Sequence, residues 1–139
     1  MSNSKKAFTL IELLVVIALV GILSAIGIVA FTGTTDSAAQ KAAENTVQSM
    51  ALAQLEYRSN NQGYYGTPGN SGSADCTAST TTAVNTNLFG GTQTSNLDKQ
   101  KYFFCSFGNT SVFINFAKHK EKTCKISLNN KNELNFADC

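Results

Sequence analysis

The sequence is poor in the residues that catalysis and metal binding require. It has one histidine (His119), one proline and no tryptophan, and charged residues make up 14% of its 139 positions. It contains no glycine-rich phosphate loop, no Cys-x-x-Cys pair and no motif of paired carboxylates. Because nucleotide sites, zinc sites and acid–base catalysis depend on such patterns, the sequence favours a structural protein over an enzyme. We expect neither a cofactor nor a metal site.

A charge imbalance is also missing once the first residues are set aside. Eleven Lys and Arg against nine Asp and Glu give a net charge of +2. Lys5 and Lys6 account for this excess, since nine basic and nine acidic residues follow them. The remaining chain therefore has no overall charge that would attract nucleic acid.

The most prominent feature present is an apolar run from Phe8 to Phe31, which follows Lys5 and Lys6. As a helix it would be about 36 Å long, enough to cross the hydrocarbon layer of a membrane. Its one charged residue is Glu12, and a carboxylate in a membrane costs roughly 2.5–3.5 kcal/mol, so such a residue usually marks function. The lysines predict a cytoplasmic amino terminus and export of the rest. Small residues that would let such helices pack closely lie at Ala18, Gly21 and Ala25.

The segment KKAFTLIEL, residues 5–13, resembles the amino terminus of type IV pilins and of the related type II secretion pseudopilins. The family has a basic leader, a small residue, and an apolar helix with a Glu near its start. The resemblance implies that residues 1–7 are a leader, that a prepilin peptidase cleaves between Ala7 and Phe8, and that Phe8 is N-methylated. Two positions differ from the family pattern: Ala7 replaces the usual Gly, and Val29 stands where Pro is common.

The resemblance also implies a function. Residues 8–31 would form a transmembrane and assembly helix, held first in the bacterial inner membrane and then in a cell-surface filament of identical subunits. The pilus assembly machinery would build this filament. Glu12, with Thr9 beside it, would pair with the Phe8 amine of a neighbouring subunit. Such filaments serve adhesion, twitching motility or DNA uptake.

Two other classes of protein share part of this pattern. A type II secretion pseudopilin has the same amino terminus, but major pseudopilins tend to have a carboxyl-terminal calcium site and no disulfides. Here that region has Glu133 and Asp138 as its acidic residues and the chain has four cysteines, which favours a pilin. An ordinary secretory signal has a shorter apolar core of about 7–15 residues. The segment Ala25-Ile26-Gly27 does fit a small-x-small cleavage site, which keeps this alternative open.

Residues 32–139 are predicted to form a globular head that begins with a helix. After a pause at Gly33–Asp36, Ser37 and Gln40 fit a capping box, and helical character resumes as far as about Tyr57. The apolar stripe of this helix consists of Ala39, Ala43, Val47, Met50 and Tyr57, with Gln54 interrupting it. Such a stripe needs a partner, and a sheet is the expected one.

The rest of the head divides into a loop and a sheet. Residues 58–99 are rich in Asn, Gly, Ser and Thr and are predicted to be a loop. Residues 100–139 alternate in polarity and predict four strands, at Tyr102–Phe107, Ser111–Ala117, Thr123–Leu128 and Glu133–Phe136. Turns are expected at Gly108-Asn109 and at 129–132. The predicted fold is therefore α+β: a long amino-terminal helix, its first half in the membrane, packed on a four-stranded antiparallel sheet.

Four cysteines follow the apolar run, at Cys76, Cys105, Cys124 and Cys139. An even number of cysteines on the exported side of a membrane predicts disulfides, and three pairings are open. We favour Cys76–Cys105 with Cys124–Cys139, because the second bond would attach the last residue to a nearby strand.

One basic cluster occurs in the head, at Lys118, His119, Lys120, Lys122 and Lys125. A DNA-binding pilin would need such a patch to attract phosphates. The cluster spans a predicted hairpin, includes Glu121 and lacks interleaved aromatic residues. The pattern therefore favours a solvated turn over a DNA site.

Overall fold

The computed structural model describes residues 8–91 and 97–139, and within helix 10–61 the side chains of 26–32 are not described. The chain forms two compact units, one ending at Ser37 and the other beginning at Ala38. The elements are helices α1 (Leu10–Asn61) and α2 (Ala78–Leu88) and strands β1 (Tyr102–Gly108), β2 (Phe113–His119), β3 (Lys125–Asn129) and β4 (Leu134–Ala137). This is the predicted α+β architecture.

The four strands form an antiparallel sheet in the order β1-β2-β3-β4, as the alternation of polarity predicts. Asparagine side chains shape two of the turns. The Asn109 Oδ1 atom accepts hydrogen bonds from the backbone N–H groups of Ser111 and Val112, at 2.8 and 2.9 Å. The Asn129 Oδ1 atom does the same for Lys131 and Glu133, at 3.0 Å each. Asx turns of this kind fix the hairpin and hence the strand register.

The core of the second unit joins the apolar stripe of α1 to one face of the sheet. Ala43, Val47 and Met50 are fully buried in one hydrophobic cluster with Phe104 and Ile126. The predicted partner of the stripe is therefore confirmed. We call this face of the sheet the core face, and the opposite one the outer face.

Helix α1 is continuous where the sequence predicts a pause and a new start. The residues of Gly33–Asp36 are helical, and the predicted capping box at Ser37 and Gln40 does not begin a helix. The Ser37 hydroxyl instead donates to the Gly33 carbonyl at 3.3 Å. A serine whose hydroxyl bonds to the carbonyl of the preceding turn is accommodated inside a helix. The capping-box pattern at Ser37 and Gln40 therefore does not mark the start of a helix.

The predicted loop over 58–99 is wrong in part, because it contains helix α2. Thr77 caps this helix: its Oγ1 accepts from the Thr80 N–H at 3.4 Å, and the Thr80 Oγ1 accepts from the Thr77 N–H at 2.8 Å. Threonine has a low helix propensity, so composition alone favours a loop here. Packing favours the helix, since Thr81 and Val84 are buried against the core.

The edge of β1 is covered rather than open. The backbone N–H groups of Tyr64 and Thr67 donate to the carbonyls of Asn109 and Ser106, at 2.8 and 2.7 Å. This close approach requires glycine at position 108, because a Cβ there would overlap the Tyr65 carbonyl. The covered edge leaves no free backbone row at β1 for pairing with another strand.

Two disulfides join Cys76 to Cys105 and Cys124 to Cys139, which is the pairing that the sequence favours. The first is buried on the outer face of the sheet, in a small cluster with Phe116. The second attaches Cys139 to the residue before β3. The two bonds close segments of 29 and 15 residues, respectively.

Candidate assembly site at the start of helix α1

The first turns of α1 are apolar and exposed along their whole circumference. Every described side chain from Phe8 to Ala25 is exposed, with Phe8 at 85% and Leu10 at 83%. Monomeric soluble proteins rarely expose a continuous apolar surface of this extent. The first unit therefore has a surface suited to an apolar environment or to further copies of the same helix.

Glu12 and Thr9 form a reciprocal cap at the start of α1. The Glu12 Oε2 atom accepts hydrogen bonds from the Thr9 N–H and from the Thr9 hydroxyl, at 2.9 Å each. The Thr9 Oγ1 atom in turn accepts from the Glu12 N–H at 3.3 Å. This is a capping box, and it satisfies two backbone donors that the first turn would leave unpaired.

The cap adds a role that the sequence analysis did not assign to Glu12. The signal was present, because Thr9-x-x-Glu12 before an apolar run is the capping-box pattern. The carboxylate retains capacity for an intermolecular partner, since within the described residues its Oε1 atom makes no hydrogen bond.

The small residues at Ala18, Gly21 and Ala25 lie on this exposed surface. A Cβ added at Gly21 would have no described atom within 4 Å. The position is therefore open within the part of the subunit that the structure describes.

The basic cluster predicted as a solvated turn does not form one surface, because His119 is buried whereas Lys120 and Lys122 are exposed. His119 is buried, packs edge-on against Tyr102 at 4.9 Å between ring centroids, and accepts from the backbone N–H groups of Glu121 and Lys122. The Lys120 amine donates to the Asp98 carbonyl at 2.8 Å. His119 is thus part of the core and the turn and is unavailable to a surface ligand.

Residues 2–28 match the prokaryotic N-terminal methylation motif. The chain carries the type IV prepilin signature. The motif marks a type IV pilin-like or pseudopilin protein, suggests a structural subunit rather than an enzyme, and is consistent with processing by a prepilin peptidase. It also implies an inner-membrane precursor that later joins a pilus. No curated protein and no solved structure matches the chain.

The prepilin motif and the described structure overlap from Phe8 onward. The predicted cleavage site lies between Ala7, which is outside the described residues, and Phe8, which is described and exposed. In the part of the chain that the structure describes, no helix is long and apolar enough to span a membrane.

Proposed function

We propose that the chain is a subunit of a type IV pilus, assembled through the first turns of α1. The observation that carries this proposal is an apolar helix surface, exposed all round, that contains one carboxylate and lies within the prepilin motif. The subunit is inserted in the inner membrane, cleaved after Ala7, methylated at Phe8, and transferred to a filament of identical subunits on the cell surface. Its role there is adhesion, motility or DNA uptake.

The capping box positions Glu12 for its partner. Cleavage creates a positively charged amine at Phe8, four residues before the carboxylate. Within one subunit the Oε2 atom is held by Thr9, at 2.9 Å from both of its donors, so the side chain has a fixed orientation. The Oε1 atom then accepts a hydrogen bond from the Phe8 amine of the neighbouring subunit. An ion pair in an apolar environment is strongly orientation-dependent, so this contact selects the register between subunits.

Three substitutions separate the charge of Glu12 from its capping role. Glu12→Gln keeps an acceptor that can complete a capping box but removes the charge. Thr9→Ala removes the hydroxyl from the cap, keeps the backbone N–H of residue 9 as a donor to Glu12, and keeps the charge. Glu12→Ala removes both the charge and the side chain that completes the cap. Each variant is expressed as the sole copy. Membrane-fraction protein is compared with sheared filaments, and intact mass shows whether Phe8 is the first residue.

We expect Glu12→Gln and Glu12→Ala to accumulate in the membrane and to reduce filament yield by at least about tenfold, since breaking a buried ion pair is strongly unfavourable. Thr9→Ala should reduce the yield much less. Normal filaments from Glu12→Gln would show that the charge has no part in assembly. A loss in Thr9→Ala equal to that in Glu12→Gln would assign the effect to the cap instead.

A further inference from the structure

Two lysines face each other on the outer face of the sheet. Lys118 of β2 and Lys125 of β3 are direct register partners. Their chain neighbours Ala117 and Ile126 are fully buried on the core face, so the lysines lie on the opposite side. Side chains at such paired positions are about 4.5–5.5 Å apart at Cβ, and like charges placed there destabilise a sheet.

The surrounding residues compensate this repulsion weakly. The Asp75 Oδ1 atom is 4.0 Å from the Lys118 amine, and the Asp75 side chain is 77% exposed. Lys125 forms no ion pair with any residue that the structure describes. The lysine pair therefore does not favour the stability of the sheet, and an anion placed between the two amines would reduce their repulsion.

A groove of about 200 Å³ adjoins Lys125 on the same face. Its walls are mainly apolar and include Ala74, Phe116 and Ala137, beside the buried Cys76–Cys105 bond. Two polar side chains also line it: Ser127 and Asn135, which are register partners on β3 and β4. Within the described residues neither side chain forms a hydrogen bond with the protein, so both have donors available for a ligand.

We propose that this groove binds an amphipathic anion, namely one carboxylate, sulfate or phosphate group attached to a small apolar body. The two lysine amines receive the anionic group, the Ser127 hydroxyl and the Asn135 amide donate to it, and the apolar body lies against Phe116 and Ala74. Lysine suits this role because its three donors rotate freely around a point charge. The site is separate from the assembly site and does not depend on the proposed function.

The proposed site requires a ligand with both an anionic group and an apolar body, and four probes test these two requirements separately. Inorganic phosphate supplies charge without a body, benzamide supplies a body without charge, and benzoate and phenyl phosphate supply both. Each is titrated into the full-length protein in one zwitterionic detergent, and backbone amide shifts are followed by NMR. The variants are Lys118→Gln, Lys125→Gln and, as a control, Lys131→Gln at the exposed β3–β4 turn. Because all share the same micelles, partitioning of the probes affects them equally.

We expect benzoate and phenyl phosphate to shift the amides of Phe116, Ser127 and Asn135 with saturation. The dissociation constant should rise about three- to fivefold in Lys118→Gln and in Lys125→Gln, as expected for partly exposed ion pairs, and should not change in Lys131→Gln. If phosphate or benzamide bound as tightly as benzoate, the proposal would be overturned, since the apolar body or the charge would then be dispensable. Equal binding by all three variants, or shifts spread over every lysine, would show nonspecific charge screening and would also overturn it.

Discussion

At the scale of single residues, Gln54 shows how a polar side chain can organise a core. It interrupts the apolar stripe of α1 and is fully buried. Its amide nitrogen donates to the Tyr65 carbonyl at 2.9 Å and to the Ser106 hydroxyl at 2.7 Å, and its oxygen accepts from the Tyr65 N–H at 2.7 Å. One amide therefore joins α1, the segment that covers β1, and β1 itself. A buried and fully bonded network of this kind specifies one arrangement of its parts.

We expect Gln54→Leu to lower the free energy of unfolding by about 2–3 kcal/mol, because the buried Tyr65 N–H and carbonyl would lose their partner. Urea unfolding of the oxidised, full-length protein in detergent measures the change. Leu52→Gln is the matched control, since Leu52 lies on the same helix and is 71% exposed. A control as destabilising as Gln54→Leu would refute the role of the network.

The sequence indicated the position of Gln54 but not its role. The stripe of Ala43, Val47 and Met50 follows from helical periodicity, and Gln54 falls on it at the expected spacing. Its bonding partners are 11 and 52 residues away along the chain, and periodicity carries no information about contacts over such distances. Capping at Thr9 and Glu12 differs in this respect, because its signal is a Thr and a Glu three residues apart in the sequence.

At the scale of elements, α2 depends on its contact with the sheet. Thr81, one of its buried residues, accepts from the Phe104 N–H of β1 at 2.9 Å and donates to the Thr77 carbonyl at 2.8 Å. Its hydroxyl thus satisfies a backbone donor at the edge of the sheet. Composition does not predict this helix, because the hydrogen bond that offsets the low propensity of its threonines is a tertiary one.

Thr81→Val should destabilise the protein by about 1–3 kcal/mol, since it preserves the shape of the side chain and leaves the Phe104 N–H unpaired. Thr82→Val makes the same chemical change on the exposed side of α2, where the hydroxyl bonds only the Ala78 carbonyl of its own helix. This control should fall within about 0.5 kcal/mol of the parent. Thermal unfolding of both variants tests the difference, and equal effects would contradict the tertiary role of Thr81.

Gly21 provides a test of packing between α1 helices. Gly21→Leu adds bulk where the single subunit has space, so the amount of protein in the membrane should not fall. If neighbouring helices approach at the ridge of small residues formed by Ala18, Gly21 and Ala25, filament yield should drop severalfold, because the larger side chain separates the backbones. Val20→Leu enlarges an adjacent exposed position and should assemble normally. Normal filament yield from Gly21→Leu would exclude close packing at the ridge.

At the scale of the whole molecule, the two disulfides differ in exposure. Cys76 and Cys105 are both buried, whereas Cys139 is exposed. The cysteine count left three pairings open, and the observed one was favoured because Cys124–Cys139 attaches the carboxyl terminus to a nearby strand. The burial of Cys76 depends on how the segment that includes Ala74 and Cys76 packs on the outer face, which composition does not reveal.

Mild reduction should open Cys124–Cys139 before Cys76–Cys105, because thiolate attack requires access to a sulfur atom. Alkylation followed by peptide mapping at increasing dithiothreitol measures the order. Replacing each pair with alanine should lower stability by about 3 kcal/mol for the 15-residue segment and somewhat more for the 29-residue segment. Simultaneous opening of both bonds, or earlier opening of Cys76–Cys105, would contradict this view of their exposure.

The core contacts that join α1 to the sheet also determine when the head can fold during synthesis. Gln54 is bonded to Ser106 and contacts Asn115, which are 52 and 61 residues later in the chain. At translation rates of about 5–20 residues per second, the helix leaves the ribosome roughly 3–12 seconds before its partner strands. Its apolar stripe is exposed throughout that interval. A chain of this design therefore has a period of several seconds in which a chaperone or the membrane surface must protect Val47 and Met50 from other nascent chains.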